Sequence, residues 1–271
     1  MAELWRHLGM KPILKFASMT GILLLLAGCV SQPATSIPSP SVSSVPHPGP
    51  TIVTLTFDEG FADNYPVKDL LASHNMHATF YVVSGHVGTE GYMTWEQLQE
   101  FYADGNEIAG HTVSHPDLPK LNEDEMRHEI CDDRAALMQK GFNPVSFAYP
   151  SGHWNETVKK VVAECGYNSA RLVVDGPDTI PPGDPFALKT LPYIFSDTPL
   201  SKIKRYVTGI QNNGGGWIIF VFHYVCDDCH QYSITLDNLT ALIDWLQSKS
   251  DDMITVKSIA EVVGGEVKPV P

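Results

Sequence analysis

The chain has little positive charge, few cysteines and no apolar run of membrane-spanning length. Lys and Arg number 18 against 31 Asp and Glu in 271 residues, a formal net charge of −13. Without residues 1–28, which read as a leader, 15 basic and 30 acidic residues remain, a net of −15. Such a domain has no basic stripe for a phosphate backbone or an anionic lipid surface, which argues against nucleic acid and against electrostatic membrane docking. Neutral or cationic polymers stay compatible. The apolar run at residues 22–26 is too short for a comfortable membrane span. No nucleophile-elbow pattern surrounds Ser114 or Ser151, so both are poor nucleophiles. No internal repeat is present.

The N-terminus has its own character. Arg6, Lys11 and Lys15 precede the apolar run, and Leu26-Ala27-Gly28-Cys29 follows. A basic region, a short apolar stretch and small residues describe an export signal. The last four residues resemble a bacterial lipoprotein box, in which Cys29 becomes the lipidated first residue. The expectation is a signal at 1–28, a cell-surface lipoprotein joined to the membrane only through its lipid, and secretion as the alternative. Residues 29–50 are Ser/Pro-rich and read as an extended tether. The domain proper is expected at 51–265, as a monomer.

Setting Cys29 aside leaves Cys131, Cys165, Cys226 and Cys229, an even number in an exported chain. That points to two disulfides. Cys226 and Cys229 are close enough for a local loop, and Cys131 and Cys165 fall on consecutive predicted helices. A zinc half-site or redox pair is the rival reading for Cys226 and Cys229. It wants a second pair of similar spacing, and none exists.

From residue 51 strands and helices alternate. Strands are predicted at 51–57, 78–83, 107–109, 145–149, 168–174, 217–222 and 254–256, with a short one at 188–191. Helices are predicted at 62–74, 95–103, 122–140, 156–165, 200–211 and 238–248. Thr94 with Gln97 forms a capping box, and Val158, Val161, Val162 and Cys165 share one helical face. Such alternation implies parallel strands with helical crossovers, and at this length an α/β barrel of about seven strands closes it. In such barrels chemistry gathers where strands end. Asp58, Glu59, His111, Tyr149-Pro150 and His223 all fall there.

Taken singly these residues are unremarkable. Asp58-Glu59-Gly60 is an ordinary turn composition, His111 and His115 flank a loop, and a histidine after an apolar strand is usually a core residue. Together they make a kit for metal-assisted hydrolysis. One carboxylate and two imidazoles can hold a divalent ion, while a second carboxylate and a third imidazole act as base and acid. Tyr149, Trp154 and Tyr224 are candidates for stacking on a sugar or for packing.

With these segments in view, the chain resembles the polysaccharide deacetylases of the NodB-homology type (carbohydrate esterase family 4). Thr56-Phe57-Asp58-Glu59-Gly60 is similar to T-F-D-D-G, and residues 111–116 to H-[ST]-x-x-H-P. Residues 147–152 resemble R-x-P-x-G, and Val221-Phe222-His223 resembles L-x-H. The resemblance implies a distorted (β/α) barrel that removes N- or O-acetyl groups from a glycan such as a chitin-like or peptidoglycan N-acetylglucosamine polymer. It implies Asp58 as general base, Glu59, His111 and His115 as ligands of zinc (cobalt as the alternative), the Tyr149 N–H at the oxyanion and His223 as general acid. An acetylxylan esterase and a catalytically weakened glycan-binding protein are the competing readings.

Three departures stand out. Glu59 occupies a position where the family has Asp, and Glu59→Asp is expected to match or exceed the parent. Ala148 replaces the arginine that orients the base, so Asp58 needs another cation. The acid-tuning aspartate has no clear counterpart; Asp175 is the first candidate and Asp178 the second.

Overall fold

The computed structural model describes residues 48–191 and 193–269, without the side chains of Asp175 and Asp252. Cys29, the leader and most of the tether lie outside the described residues. Seven parallel strands follow one another around a curled sheet: β1 (Thr51–Phe57), β2 (Thr79–Val82), β3 (Glu107–Gly110), β4 (Ser146–Ala148), β5 (Ser169–Asp175), β6 (Leu188–Thr190) and β7 (Gly216–Phe222). β7 returns to pair with β1 along all of Thr51 to Phe57. The closure is uneven, which gives the distorted α/β barrel. The β5–β6 register slips between Arg171 and Asp175, and the β6–β7 seam is held by the Leu191 N–H donating to the Ile219 carbonyl at 2.9 Å.

Strand parity divides the side chains into two layers. Val53, Leu55, Phe57, Phe80, Val82, Phe220 and Phe222 face outward, where Phe57 stacks on Phe80 and Phe222 at 4.9 and 5.3 Å. Four helices cover them: α1 (Val67–Ser73), α2 (Trp95–Ala103), α5 (Leu200–Asn212) and α6 (Leu236–Gln247). Between these in the chain, α3 (Glu123–Gln139) and α4 (Glu156–Glu164) cover Phe147, Ala170 and Leu172. The predicted face of α4 is the buried one: Val158, Val161 and Val162 are fully enclosed. Each contributes roughly 1.5–3 kcal/mol relative to exposure. The inner layer is smaller and holds Tyr81, Ala109, Ala148, Leu188, Trp217 and Ile219.

The capping boxes close as the residue types dictate. Gln97 N–H donates to Thr94 Oγ1 at 3.3 Å while Thr94 N–H donates to Gln97 Oε1 at 2.9 Å. Asn122 and Glu125 do the same at the start of α3. Cys131 on α3 bonds to Cys165, which caps α4, and Cys226 bonds to Cys229.

Several expectations needed revision. The helix expected at 62–74 is a 3-10 turn at Ala62–Asn64 followed by α1, because Pro66 has no N–H to continue a helix and stands as the N-cap instead. Beyond His223 a two-rung parallel ladder forms between β8 (Tyr224–Val225) and β9 (Ser233–Ile234). The last strand, β10 (Ile254–Val256), pairs with β1, and α7 (Ile259–Val263) follows with a Ser258/Glu261 capping box. Among the described residues no helix is long and apolar enough to cross a membrane.

Candidate metal centre and catalytic cleft

The C-terminal ends of β1, β3, β4 and β7 open into one cleft of about 350 Å³. Asp58, Glu59, His111, His115, Tyr149 and His223 all line it. Asp58 leaves β1 with 3% of its surface exposed, its N–H donating to the Phe222 carbonyl at 3.0 Å. Glu59 comes next in a left-handed turn, φ 72°, which swings its carboxylate to the other side. Glu59 Oε1 reaches His115 Nε2 at 3.1 Å and His111 Nε2 at 3.6 Å. The extra methylene of Glu59 therefore does not carry the carboxylate away from the imidazoles.

Both histidines are fixed from behind. A Cβ on Gly110 would lie 1.9 Å from Tyr167 Oη, so only glycine fits there and β3 can deliver His111 against the inner wall. His111 Nδ1 sits 2.8 Å from the Ala148 carbonyl, which only accepts. In the neutral ring the proton is then on Nδ1, and the Nε2 lone pair faces Glu59. The following loop is pinned on two sides. Ser84 and Gly85 N–H groups donate to the Thr112 and Val113 carbonyls, while Ser114 N–H and Oγ bond to the Glu129 carboxylate at 2.9 and 2.7 Å. His115 N–H donates to Thr112 Oγ1 at 2.9 Å. One ligand atom from each of Glu59, His111 and His115 lies within 4.8 Å of the other two. A carboxylate and two imidazole nitrogens so converged fit a divalent ion of the zinc type.

Among the described residues seven non-glycine residues have positive φ, and four of them belong to the segments that form this cleft: Glu59, Thr112 at 73°, His115 at 60° and Ser151 at 55°. Left-handed backbone at such residues costs of order 1–3 kcal/mol each and persists only where surrounding structure imposes it.

The electrostatics centre on a cation absent from the sequence motifs. Arg171 of β5, fully buried, pairs with Asp58 Oδ1 through Nη2 and lies 4.8 Å over the Tyr81 ring. Burial works against the Asp58 carboxylate, but the guanidinium, with His223 and His111, outweighs it and holds the pKa below the usual carboxylate range. For Glu59 burial is likewise opposed by His111 and His115, and the pKa falls well below normal. Burial would lower the His111 pKa, yet Glu59 and Asp58 raise it. His223, with Nε2 3.8 Å from Asp58 Oδ2, is lowered, chiefly by burial.

One expected role does not match the geometry. The Tyr149 N–H is already committed, donating at 3.2 Å to the Arg171 carbonyl because the β4–β5 ladder runs one residue past Ala148. Pro150 ends that pairing. Ser151 then turns left-handed into the cleft, and its N–H makes no hydrogen bond among the described residues. Asp178 is engaged elsewhere, accepting from the Thr179 and Lys189 N–H groups. Asp175 ends β5, and its side chain lies outside the described residues. His223 Nδ1 is buried without a partner among the described residues. Of the three candidate aromatics, Tyr149 is fully buried beside Trp154, its hydroxyl donating to the Phe186 carbonyl, whereas Tyr224 borders the cleft.

Arg171 could have been found from parity alone. In β5, Ala170 and Leu172 face outward, so Arg171 points into the barrel, and a charge there requires a partner.

Comparison with known proteins gives this arrangement relatives. Residues 46–170 match the polysaccharide deacetylase family. A peptidoglycan-N-acetylglucosamine deacetylase of Bacillus cereus is 29% identical over 120 residues, 44% of this chain and 54% of that protein. A chitooligosaccharide deacetylase of a Bradyrhizobium species is 31% identical over 140 residues, 50% of this chain and 62% of that one. The chain thus spans about half the length of the curated relatives it matches. Among solved structures, a family 4 acetyl xylan esterase from Clostridium thermocellum, in complex with a cobalt ion, superposes with a TM-score of 0.57 at 21% identity, covering 78% of this chain and 90% of that one. That likeness establishes the fold.

Proposed function

We propose, from the match of residues 46–170 to the polysaccharide deacetylase family, that the chain is a metal-dependent deacetylase. Its substrate is an extracellular or cell-wall polysaccharide carrying N-acetyl groups, such as a chitin-like or peptidoglycan N-acetylglucosamine polymer, or the corresponding O-acetyl esters. The observation that carries the reading is the convergence of Glu59, His111 and His115 beside an Asp58 that is itself paired with Arg171.

Glu59, His111 and His115 would hold the ion, with zinc or cobalt suiting their donor set. Bound there, a divalent ion would supply Lewis-acid chemistry, polarising the acetyl carbonyl and acidifying water. Asp58, ionised at neutral pH and held low by Arg171, takes the proton from the attacking water. The Ser151 N–H replaces that of Tyr149 as the donor to the oxyanion, an interaction worth roughly 3–4 kcal/mol. His223 carries a proton to the leaving nitrogen or oxygen as its bond to the acetyl carbon breaks. Burial keeps His223 neutral at rest, so it must first gain that proton, and Asp58 at 3.8 Å is its nearest source.

Acetate release by the full chain tests this, metal-stripped and with zinc or cobalt restored, on chito-oligosaccharides, peptidoglycan and acetylxylan. Release restored by metal supports a deacetylase, and the preferred substrate separates amide from ester. Bound metal without release on any substrate would leave a glycan-binding protein. Cys29 as a lipid anchor is part of the proposal. Incorporation of labelled fatty acid, lost in Cys29→Ser, checks it.

A further inference from the structure

The buried guanidinium of Arg171 makes fewer hydrogen bonds than it has donors. Nη2 donates to Asp58 Oδ1 and Nη1 to the Leu172 carbonyl at 3.4 Å. Nε is enclosed and makes no hydrogen bond among the described residues. The side chain is fully buried, so bulk solvent does not complete the set. A buried cation with an unused donor needs another source of stabilisation. It also needs something to fix its plane, because a single side-chain partner leaves the group free to pivot about that bond.

That source is a ring. Arg171 Cζ lies 4.8 Å from the ring centroid of Tyr81, which projects inward from β2 and is itself fully buried. A guanidinium is attracted to an aromatic face, most strongly where water is excluded. The sheet makes room for the contact. Tyr81 pairs with Ala109, Gly110 with Phe147, and Ser146 with Ser169. The inner positions beside Tyr81 are therefore Ala109, Ser146 and Ser169, all small, and the ring extends past them toward Arg171.

The Tyr81 hydroxyl has no comparable part. It is buried and makes no hydrogen bond among the described residues. Burial, with Glu107 adding to it, raises its pKa and keeps it neutral. The ring also stands 6.4 Å from the His111 ring at an angle of 50°. His111 is already fixed by the close fit at Gly110 and by the Ala148 carbonyl, so Arg171 is the group whose position depends on the ring. Tyr81 does not line the cleft and so acts through Arg171, not on the substrate.

We propose that Tyr81 is a positioning residue: its ring face holds the Arg171 guanidinium against Asp58 and so fixes the direction in which the Asp58 carboxylate meets the attacking water. The effect on catalysis rests on the deacetylase reading, whereas the coupling of ring to guanidinium does not. Filling space in the barrel is the other role open to a buried ring. Methionine at position 81 separates the two, because it fills irregular gaps and has no aromatic face.

The test compares the full chain with Tyr81→Phe, Tyr81→Met, Arg171→Met and the Tyr81→Met/Arg171→Met double variant. Acetate release from N-acetylglucosamine oligomers is measured with zinc restored, zinc affinity by competition with a chelator, and stability by urea unfolding of the metal-free chains. Tyr81→Phe keeps the ring face and should hold kcat within about twofold of the parent. Tyr81→Met should lower kcat at least about tenfold, with KM and zinc affinity within about threefold, because a misdirected base slows only the chemical step. In the Arg171→Met background the same change should cost no more than about twofold further, since the ring then has no cation to hold. Its effect on the unfolding constant should likewise be smaller there, by about tenfold. Losses that simply multiply, a Tyr81→Phe variant as slow as Tyr81→Met, or a fall in zinc affinity that matches the fall in kcat would overturn the proposal. Should the double variant not fold, the comparison of Phe with Met at position 81 still decides, and equal kcat in both would overturn it. A parent that binds zinc and releases no acetate sinks the deacetylase reading instead. The unfolding cycle then decides the coupling alone: non-additivity supports it and additivity overturns it.

Discussion

Replacing Arg171 by Met removes the guanidinium and leaves Asp58 buried with no full counter-charge. Both residues are almost inaccessible, at 0% and 3% exposure, so solvent cannot take the place of the lost partner. Orphaning one member of such a pair costs about 3–5 kcal/mol. The sign of its pH dependence follows from linkage. In the parent, the folded Asp58 pKa lies below its unfolded value, so the pair's stabilisation is present above about pH 4 and is lost as pH falls through the folded value. In the variant, burial is the largest remaining influence, and it raises the pKa. The folded variant then holds a proton that the unfolded chain releases, and its stability declines as pH rises above about 4. The difference between parent and variant should be small near about pH 4 and approach the full 3–5 kcal/mol near about pH 8. Urea unfolding of the metal-free chains across this range measures it. A difference that stays flat with pH would show that Arg171 contributes packing alone and would refute the ion-pair account.

His111→Ala and His115→Ala should each weaken zinc binding at least about 100-fold, read by competition with a chromogenic chelator; normal uptake in either would remove that ligand. Glu59→Asp should lower metal affinity about tenfold, because the carboxylate retreats by about 1.5 Å from imidazoles it now contacts. This reverses the expectation from sequence, and equal or tighter binding would restore it. Opening Cys131–Cys165, with its separation of 34 residues, should cost roughly 4 kcal/mol, and opening Cys226–Cys229, with a separation of 3, roughly 2 kcal/mol; the opposite order in denaturant unfolding would contradict the loop-closure account. Ser151→Ala keeps the backbone N–H and should hold kcat within about twofold, whereas a loss beyond about tenfold would assign the role to the hydroxyl.

Much of the site was legible because its parts lie next to each other in the chain. Asp58 with Glu59, and His111 with His115, are local patterns at the ends of strongly apolar strands, and strand ends face a common cleft in a barrel. Helix ends were equally local: Thr94 and Asn122 each cap through a residue three positions on. What escaped depends on contacts across the sheet or on single dihedrals. Pro66, which splits the first helix, is by contrast a local signal. The Ser151 N–H becomes free only because Tyr149 keeps its ladder bond and the backbone then turns to φ 55°, which no composition announces.

Arg171 and Ala148 show why a motif read along one strand understated the site. They are direct register partners in the β4–β5 ladder, about 4.8 Å apart with side chains on the same face. The inner layer at that level also holds Tyr81, Ala109 and Trp217. Arg171 lies over Tyr81 and reaches Asp58. Ala148 keeps a part in the site through its carbonyl, which orients His111. Arg171 pairs with the carboxylate that the arginine of the third motif is expected to orient. The positive charge comes from the adjacent strand and meets the same carboxylate, so the absence of arginine at position 148 is no evidence for a disabled site.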